Sequence, residues 1–68
     1  MIVRVNAEKL EVDDQTTVAT LLRSLGYPDR GIAVAVDHAL LPRSAWATKL
    51  SALSAPVQLE VVTAVQGG

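Results

Sequence analysis

The sequence predicts an α+β fold, with a mixed sheet of about five strands and one main helix on one face. Two observations lead to this prediction. Five short segments place their apolar residues with the period of two, or in the short apolar runs, that are typical of strands. One segment, between the second and third of these, repeats its apolar residues at helical spacing. Strands that outnumber a single amphipathic helix favour a sheet with one covered face.

The first two strands are predicted to form a hairpin. Residues 2–6 alternate between two faces, with Val3 and Val5 on the same one. Residues 9–12 alternate again, and the turn between the two segments contains Asn6. The first strand is more apolar than the second, so we expect the first to lie nearer the centre of the sheet.

A helix over residues 17–25 follows the hairpin. Either Thr16 or Thr17 can cap it, since a hydroxyl accepts a hydrogen bond from a free backbone N–H of the first turn. Gly26 suits a left-handed C-terminal cap, and Pro28 lies just beyond. The apolar stripe of the helix consists of Val18, Leu21, Leu22 and Leu25.

The second half of the chain supplies the remaining three strands. Residues 32–36 and 39–41 are joined by a tight turn at Asp37-His38. Residues 43–55 are irregular, with a short helical turn expected near Ser44 to Thr48. The last strand covers residues 57–65 and is apolar enough to lie parallel to the first at the sheet centre. This arrangement is a β-grasp, and we predict one domain over residues 1–65.

Size and composition limit the classes of function. The chain has 68 residues, half of them hydrophobic, with no Phe. A domain near this size buries only roughly 60% of its unfolded surface. A substrate cavity would take up much of so small a core, so a carrier, binding module or subunit is favoured over a self-sufficient enzyme.

Charge and residue content remove further classes. The formal net charge is −1 without a basic stripe, so we expect no nucleic-acid partner. The chain has no cysteine and one histidine, His38, so we expect no disulfide, thiolate nucleophile or metal site. No signal peptide or bilayer-length apolar segment is recognised, so we expect no membrane partner and a cytoplasmic location.

The most informative segment is the end of the sequence, Gly67-Gly68. Residues 66–68 are predicted to form a flexible tail, because glycine adopts many backbone conformations and gives a thin thread for a narrow channel. A terminal carboxylate is ionised at neutral pH and can attack the α-phosphate of ATP. A sulfur nucleophile can then displace AMP and leave a thiocarboxylate. The alternative is a frayed terminus without chemistry.

Two segments carry a family resemblance. Residues 63–68 read TAVQGG, which is the most specific part, and residues 41–46 read LPRSAW. Together with Val5-Asn6 and the helix that begins at Thr17, they resemble the ThiS family of thiamine-biosynthesis sulfur carriers, which have a ubiquitin-like β-grasp fold. The resemblance covers essentially the whole chain. One departure is Ser54-Ala55-Pro56, where the family usually has a Gly-Asp turn, so we expect a different turn there.

The resemblance implies a protein cosubstrate and not an enzyme. An adenylating enzyme of ubiquitin-activating-like fold would charge Gly68 with MgATP, and the chain itself would bind no cofactor. A persulfide on that enzyme or on a cysteine desulfurase would supply the sulfur. Thiazole synthase would accept it from the thiocarboxylate.

Five residues are predicted to contact these partners. Val62 and Ala64 would form an exposed apolar patch beside the tail if the alternate residues of the strand face the helix; the alternative is ordinary surface residues. Arg43 and Trp46 are residue types enriched at binding hot spots, although Trp46 could instead cover the sheet edge as part of the core. Gln66 completes the set through its place in the tail.

Three other functions stay open at this point. A molybdopterin-synthase small subunit also ends in Gly-Gly and carries a thiocarboxylate, although that family usually has more aromatic residues. A ubiquitin-like modifier would use the same activation but end as a conjugate on lysine. A β-grasp interaction module would use no C-terminal chemistry, and its final glycines would be incidental.

Overall fold

The computed structural model describes residues 1–28 and 30–63. Within them the chain forms five strands and one α-helix in the predicted order. In chain order the elements are β1 (Ile2–Val5), β2 (Glu8–Glu11), α1 (Val18–Ser24), β3 (Ile32–Val36), β4 (Ala39–Leu41) and β5 (Val57–Thr63). The predicted α+β architecture is therefore confirmed. The predicted domain limit at residue 65 and the flexible tail over residues 66–68 lie outside the described residues.

The five strands form one mixed sheet in the order β2-β1-β5-β3-β4. β1 and β5 pair in parallel, with Val3 opposite Val57 and Val5 opposite Leu59. The other three neighbouring pairs are antiparallel. The predicted parallel pairing of the first and last strands is confirmed, and the sheet with its single helix is a β-grasp.

Both hairpins turn through two residues with positive φ. Asn6 and Ala7 have φ of 50° and 71°, and Asp37 and His38 have φ of 52° and 69°. Two left-handed residues in succession give the turn twist that matches the twist of the flanking strands. His38 therefore occupies a turn, as the sequence indicates.

One aliphatic core lies between α1 and the sheet. The helix contributes three buried residues, Val18, Leu21 and Leu22. The sheet meets them with Val3, Val5, Val34, Val57, Leu59 and Val61. Burying apolar surface at roughly 25 cal/mol per Å² is the main favourable contribution to folding in so small a domain. The opposite face of the sheet has no helix packed on it among the described residues.

The sequence signals at both ends of α1 are confirmed. Thr17 is the N-cap: its Oγ1 accepts a hydrogen bond from the Thr20 N–H at 3.1 Å, and Thr20 Oγ1 accepts one from the Thr17 N–H at 2.9 Å. At the other end Gly26 has φ of 86°. The Tyr27 N–H donates to the Leu22 carbonyl at 3.0 Å, which closes a Schellman-type cap.

The segment between β4 and β5 contains two 3₁₀ turns, Arg43–Ala45 and Leu50–Ala52. The first lies where a short helical turn was expected. The second was not predicted, and it buries Leu50 completely in the core. Before β5 the Ala55–Pro56 peptide bond is cis. None of the helices in the described residues has the length and apolar character needed to cross a membrane.

Candidate functional site

The candidate site is the end of β5 and the surface around it. β5 lies between β1 and β3 at the centre of the sheet, and it is described as far as Thr63. The predicted sulfur-carrying residues Gly67 and Gly68, and the predicted docking residues Ala64 and Gln66, lie outside the described residues. The structure therefore describes the strand that precedes these residues and the side chains around the end of that strand.

β5 loses one of its neighbouring strands before it ends. On one side β3 pairs with it as far as Thr63, which lies opposite Ile32. On the other side the last β1 pair is Val5 with Leu59, after which β1 turns away at Asn6. The final residues of β5 would therefore have strand pairing on the β3 side alone.

The side chain of Asn6 fills the place that β1 leaves. Its Oδ1 accepts a hydrogen bond from the Val61 N–H at 2.8 Å, and its Nδ2 donates to the Val61 carbonyl at 3.2 Å. The Asn6 backbone N–H also donates to the Leu59 carbonyl at 3.0 Å. The sequence indicates only a turn at Asn6. No local pattern reveals a contact between residues 55 positions apart.

The open face of the sheet carries a small apolar surface beside the end of β5. Its members are Ala33, Ala35, Leu40 and Val62, and we call it the outer patch. Register puts these side chains on one face, because Ala33 lies opposite Val62 and Ala35 lies opposite Leu40. Val62 is 63% exposed and Leu40 is 73% exposed. The predicted exposure of Val62 is confirmed.

Leu40 was not among the predicted docking residues. Its strand has three residues, too few for alternation to show which side chains face the core. The pairing with Ala35 supplies that information, and it places Leu40 two strands away from Val62 on the same face. Exposed large apolar side chains grouped in this way are typical of interaction surfaces.

A polar pair borders the outer patch. Glu60 lies on the same face of β5 as Val62, and its Oε1 is 3.1 Å from Nδ1 of His38 in the turn between β3 and β4. Further along the face, Gln58 lies opposite Arg4 of β1. The open face thus combines an apolar centre with a polar margin, the usual make-up of a protein interface. The residues that the structure describes contain no group of His, Asp and Glu side chains fit to hold a metal ion.

Arg43 and Trp46 lie together, away from the open face. Trp46 is only 9% exposed and belongs to the core cluster, which agrees with the interpretation that it covers the core. The Arg43 guanidinium carbon lies 5.2 Å from the centroid of the Trp46 ring, within cation–π range. Arg43 is exposed and Trp46 is not, so Arg43 is the more accessible of the two to a partner.

A match to a family model assigns this β-grasp chain to a protein family. The model of the ThiS family matches residues 3–68. The chain belongs to the ThiS family. ThiS-family proteins are small sulfur carriers and not catalysts, and membership implies an activating enzyme and sulfur-transfer partners in general. No curated protein matches the chain closely enough to serve as a relative.

Proposed function

We propose that this ThiS-family carrier holds its sulfur as a thiocarboxylate on Gly68 and delivers it for the thiazole ring of thiamine. The observation that carries the proposal is the extent of the family match, which runs through residue 68 and so includes Gly67 and Gly68. The position of β5, which runs through Thr63 at the centre of the sheet, supports it. Gly68 lies five positions after Thr63.

The proposed chemistry begins with the Gly68 carboxylate. One of its oxygens attacks the α-phosphorus of ATP held with Mg²⁺ by an adenylating enzyme, and pyrophosphate leaves. Hydrosulfide, or the outer sulfur of a persulfide, attacks the carbonyl of the acyl-adenylate and AMP leaves. After a persulfide attack, a thiol cleaves the sulfur–sulfur bond and frees the thiocarboxylate. The carrier contributes the carboxylate and its access, and it holds no cofactor of its own.

The proposed partners follow from these steps. An adenylating enzyme of ubiquitin-activating-like fold charges the carrier, and a cysteine desulfurase supplies persulfide sulfur to that enzyme. Thiazole synthase is the acceptor. In this role the carrier is a cosubstrate that returns to its carboxylate form after each delivery.

We place the contact with the adenylating enzyme on the outer patch. Gly68 lies six positions after Val62, and an extended chain covers roughly 3.3–3.6 Å per residue, so the carboxylate reaches at most about 22 Å from Val62. An enzyme that binds the outer patch can therefore receive the carboxylate in an active site within this distance. Contacts of Arg43, Trp46, Ala64 and Gln66 with a partner stay predictions. Of the two that the structure describes, Arg43 is exposed and Trp46 is buried.

Intact mass spectrometry tests the carrier chemistry. The chain is incubated with MgATP, sulfide and an adenylating enzyme that is first shown to charge another ThiS-family carrier. We expect the mass gain that corresponds to replacing one oxygen by sulfur. Matched controls are a chain lacking Gly68 and a chain extended by one alanine after Gly68, neither of which should gain sulfur.

The outcomes separate the remaining functions. Sulfur gain in the extended chain would contradict a role for the Gly68 carboxylate, and no gain in any chain would favour a β-grasp module without C-terminal chemistry. The thiocarboxylate form is then mixed with thiazole synthase or with the large subunit of molybdopterin synthase. Sulfur loss only to the first supports the thiamine assignment, whereas loss only to the second moves the carrier to the other pathway. A covalent adduct on lysine would indicate a modifier.

A further inference from the structure

The backbone of Val61 depends on one side chain for its pairing on the β1 side. In a strand, the N–H and carbonyl of one residue point to the same neighbour. Those of Val61 point towards the side from which β1 has already turned away, and both are hydrogen-bonded by Asn6, at 2.8 Å and 3.2 Å. The amide of Asn6 thereby reproduces the donor and acceptor of a missing strand residue.

Asn6 is itself held in place by its surroundings. Its backbone N–H donates to the Leu59 carbonyl at 3.0 Å, and its Nδ2 lies 3.3 Å from the Tyr27 hydroxyl oxygen. Tyr27 follows α1 and its N–H donates to the Leu22 carbonyl. A φ of 50° suits asparagine better than most residues. The end of the helix, the first turn and the last strand are thus linked through one amide group.

The hydrogen bonds between Asn6 and Val61 lie near the end of β5, seven positions before Gly68. Five residues span at most about 18 Å, so the position and direction of β5 at Thr63 limit where the carboxylate of Gly68 can reach. Without Asn6, strand pairing on the β1 side would stop at Leu59, and β3 alone would hold the last residues of β5. A strand that is no longer held at Val61 samples more conformations, so fewer of them would direct the carboxylate to the reacting phosphate.

We propose that Asn6 is a positioning residue for the C-terminal carboxylate. Its amide fixes the backbone of β5 at Val61 and so sets the direction in which the carrier end leaves the sheet. It touches no reacting atom. This inference rests on the proposed function, because it concerns how efficiently Gly68 is adenylated, while its structural part can be measured on the isolated chain.

Two variants remove different parts of the link. Asn6→Gly tolerates the positive φ and removes the whole side chain. Asn6→Asp keeps an oxygen that accepts from the Val61 N–H but loses the donor to the Val61 carbonyl. Thr17→Ala serves as a control, because losing the helix cap lowers stability without touching β5. Circular dichroism confirms that each variant is folded before the other measurements are made.

Hydrogen exchange reports the link directly. The Val61 amide bonds to Asn6, whereas the Leu25 amide bonds to the Leu21 carbonyl within α1. We expect Asn6→Gly to speed exchange at Val61 by about tenfold relative to Leu25, the loss that one hydrogen bond of ordinary strength would give. Asn6→Asp should change this ratio less, and Thr17→Ala should leave it unaltered. An unaltered ratio in Asn6→Gly would show that Asn6 does not hold Val61.

Adenylation kinetics report the consequence. With the adenylating enzyme and MgATP, Asn6→Gly should lower kcat by about tenfold while KM for the carrier changes by less than about twofold, since β3 still holds the outer patch. Asn6→Asp should fall in between, and Thr17→Ala should match the unaltered chain. An unchanged kcat in Asn6→Gly, with faster Val61 exchange, would overturn the positioning role alone. No adenylation of the unaltered chain would overturn the proposed function, and the positioning role with it.

Discussion

The two faces of β5 have different surroundings although they belong to one strand of seven residues. Val57, Leu59 and Val61 point into the core, where Leu59 has no exposed surface. Gln58, Glu60 and Val62 point to the open face, where Val62 is 63% exposed. A single helix can cover only one side of a sheet, so the other side is left with apolar residues that contribute little to the core.

The two faces of β5 therefore serve different purposes, one for stability and the other for contact with a partner. Residues that face α1 hold the domain together, and residues that face outwards are free to contact a partner without changing the fold. In a domain of this size the two tasks would otherwise compete for the same few side chains. The alternation of a central strand keeps them apart, one residue at a time.

Substitution of Leu59 by alanine gives the largest effect that this contrast predicts. Leu59 is fully buried, so Leu59→Ala should lower the free energy of unfolding by about 2–5 kcal/mol. The matched change Val62→Ala, on the open face of the same strand, should stay within about 0.5 kcal/mol. Urea denaturation followed by circular dichroism measures both. Equal losses in the two variants would break the distinction between the faces.

Charge placed in the outer patch tests the recognition side. Val62→Asp and Leu40→Asp should each weaken binding to the adenylating enzyme by about tenfold, or about 1.4 kcal/mol, because a carboxylate would be buried against apolar surface. Ile2→Asp is the control, since Ile2 has the same 63% exposure as Val62 and lies on the same open face, but beside the beginning of β5 and not its end. Calorimetric titration gives the affinities. Equal weakening by Ile2→Asp would mean that no defined patch exists.

The smallest predicted effect is on stability and comes from the contact between Arg43 and Trp46 at the edge of the core. Arg43→Ala removes the guanidinium over Trp46 and should lower stability by about 0.5–1 kcal/mol, as expected for an exposed cation–π contact. Thermal unfolding followed by Trp46 fluorescence measures this change. Arg43→Lys keeps the charge and should recover part of the loss. Unchanged stability in Arg43→Ala would show that the contact of Arg43 with Trp46 does not stabilise the fold.

Local patterns predicted the fold because each decisive signal lies within a few residues. Alternation in β5 identified its two faces, and Thr17 and Gly26 marked the ends of α1. The apolar character of the first and last strands was enough to predict that they pair. These signals act over one turn or one strand, which is the distance that a pattern in the sequence can show.

The residues that escaped prediction act across long separations or without a period. Leu50 is fully buried, but it stands among small residues in a 3₁₀ turn where no repeat points inwards. Leu40 needed the register of β4 with β3 to place it on the open face. Asn6 meets Val61 only after the sheet has formed. The chemistry assigned to Gly68 came from the order of the residues and the family, which no contact of the described residues could have supplied.

The parallel pairing of β1 with β5 also ties folding to synthesis. Among the strands of the described residues, β1 is translated first and β5 last, yet the two are neighbours at the centre of the sheet. Until β5 arrives, β1 has only β2 beside it, and β3 has only β4. Two isolated hairpins are marginally stable in water. We therefore expect the five-stranded sheet to assemble only after β5 has been translated, so a chain that stops before β5 would lack the paired surface of β3 and β5 that we propose contacts the adenylating enzyme.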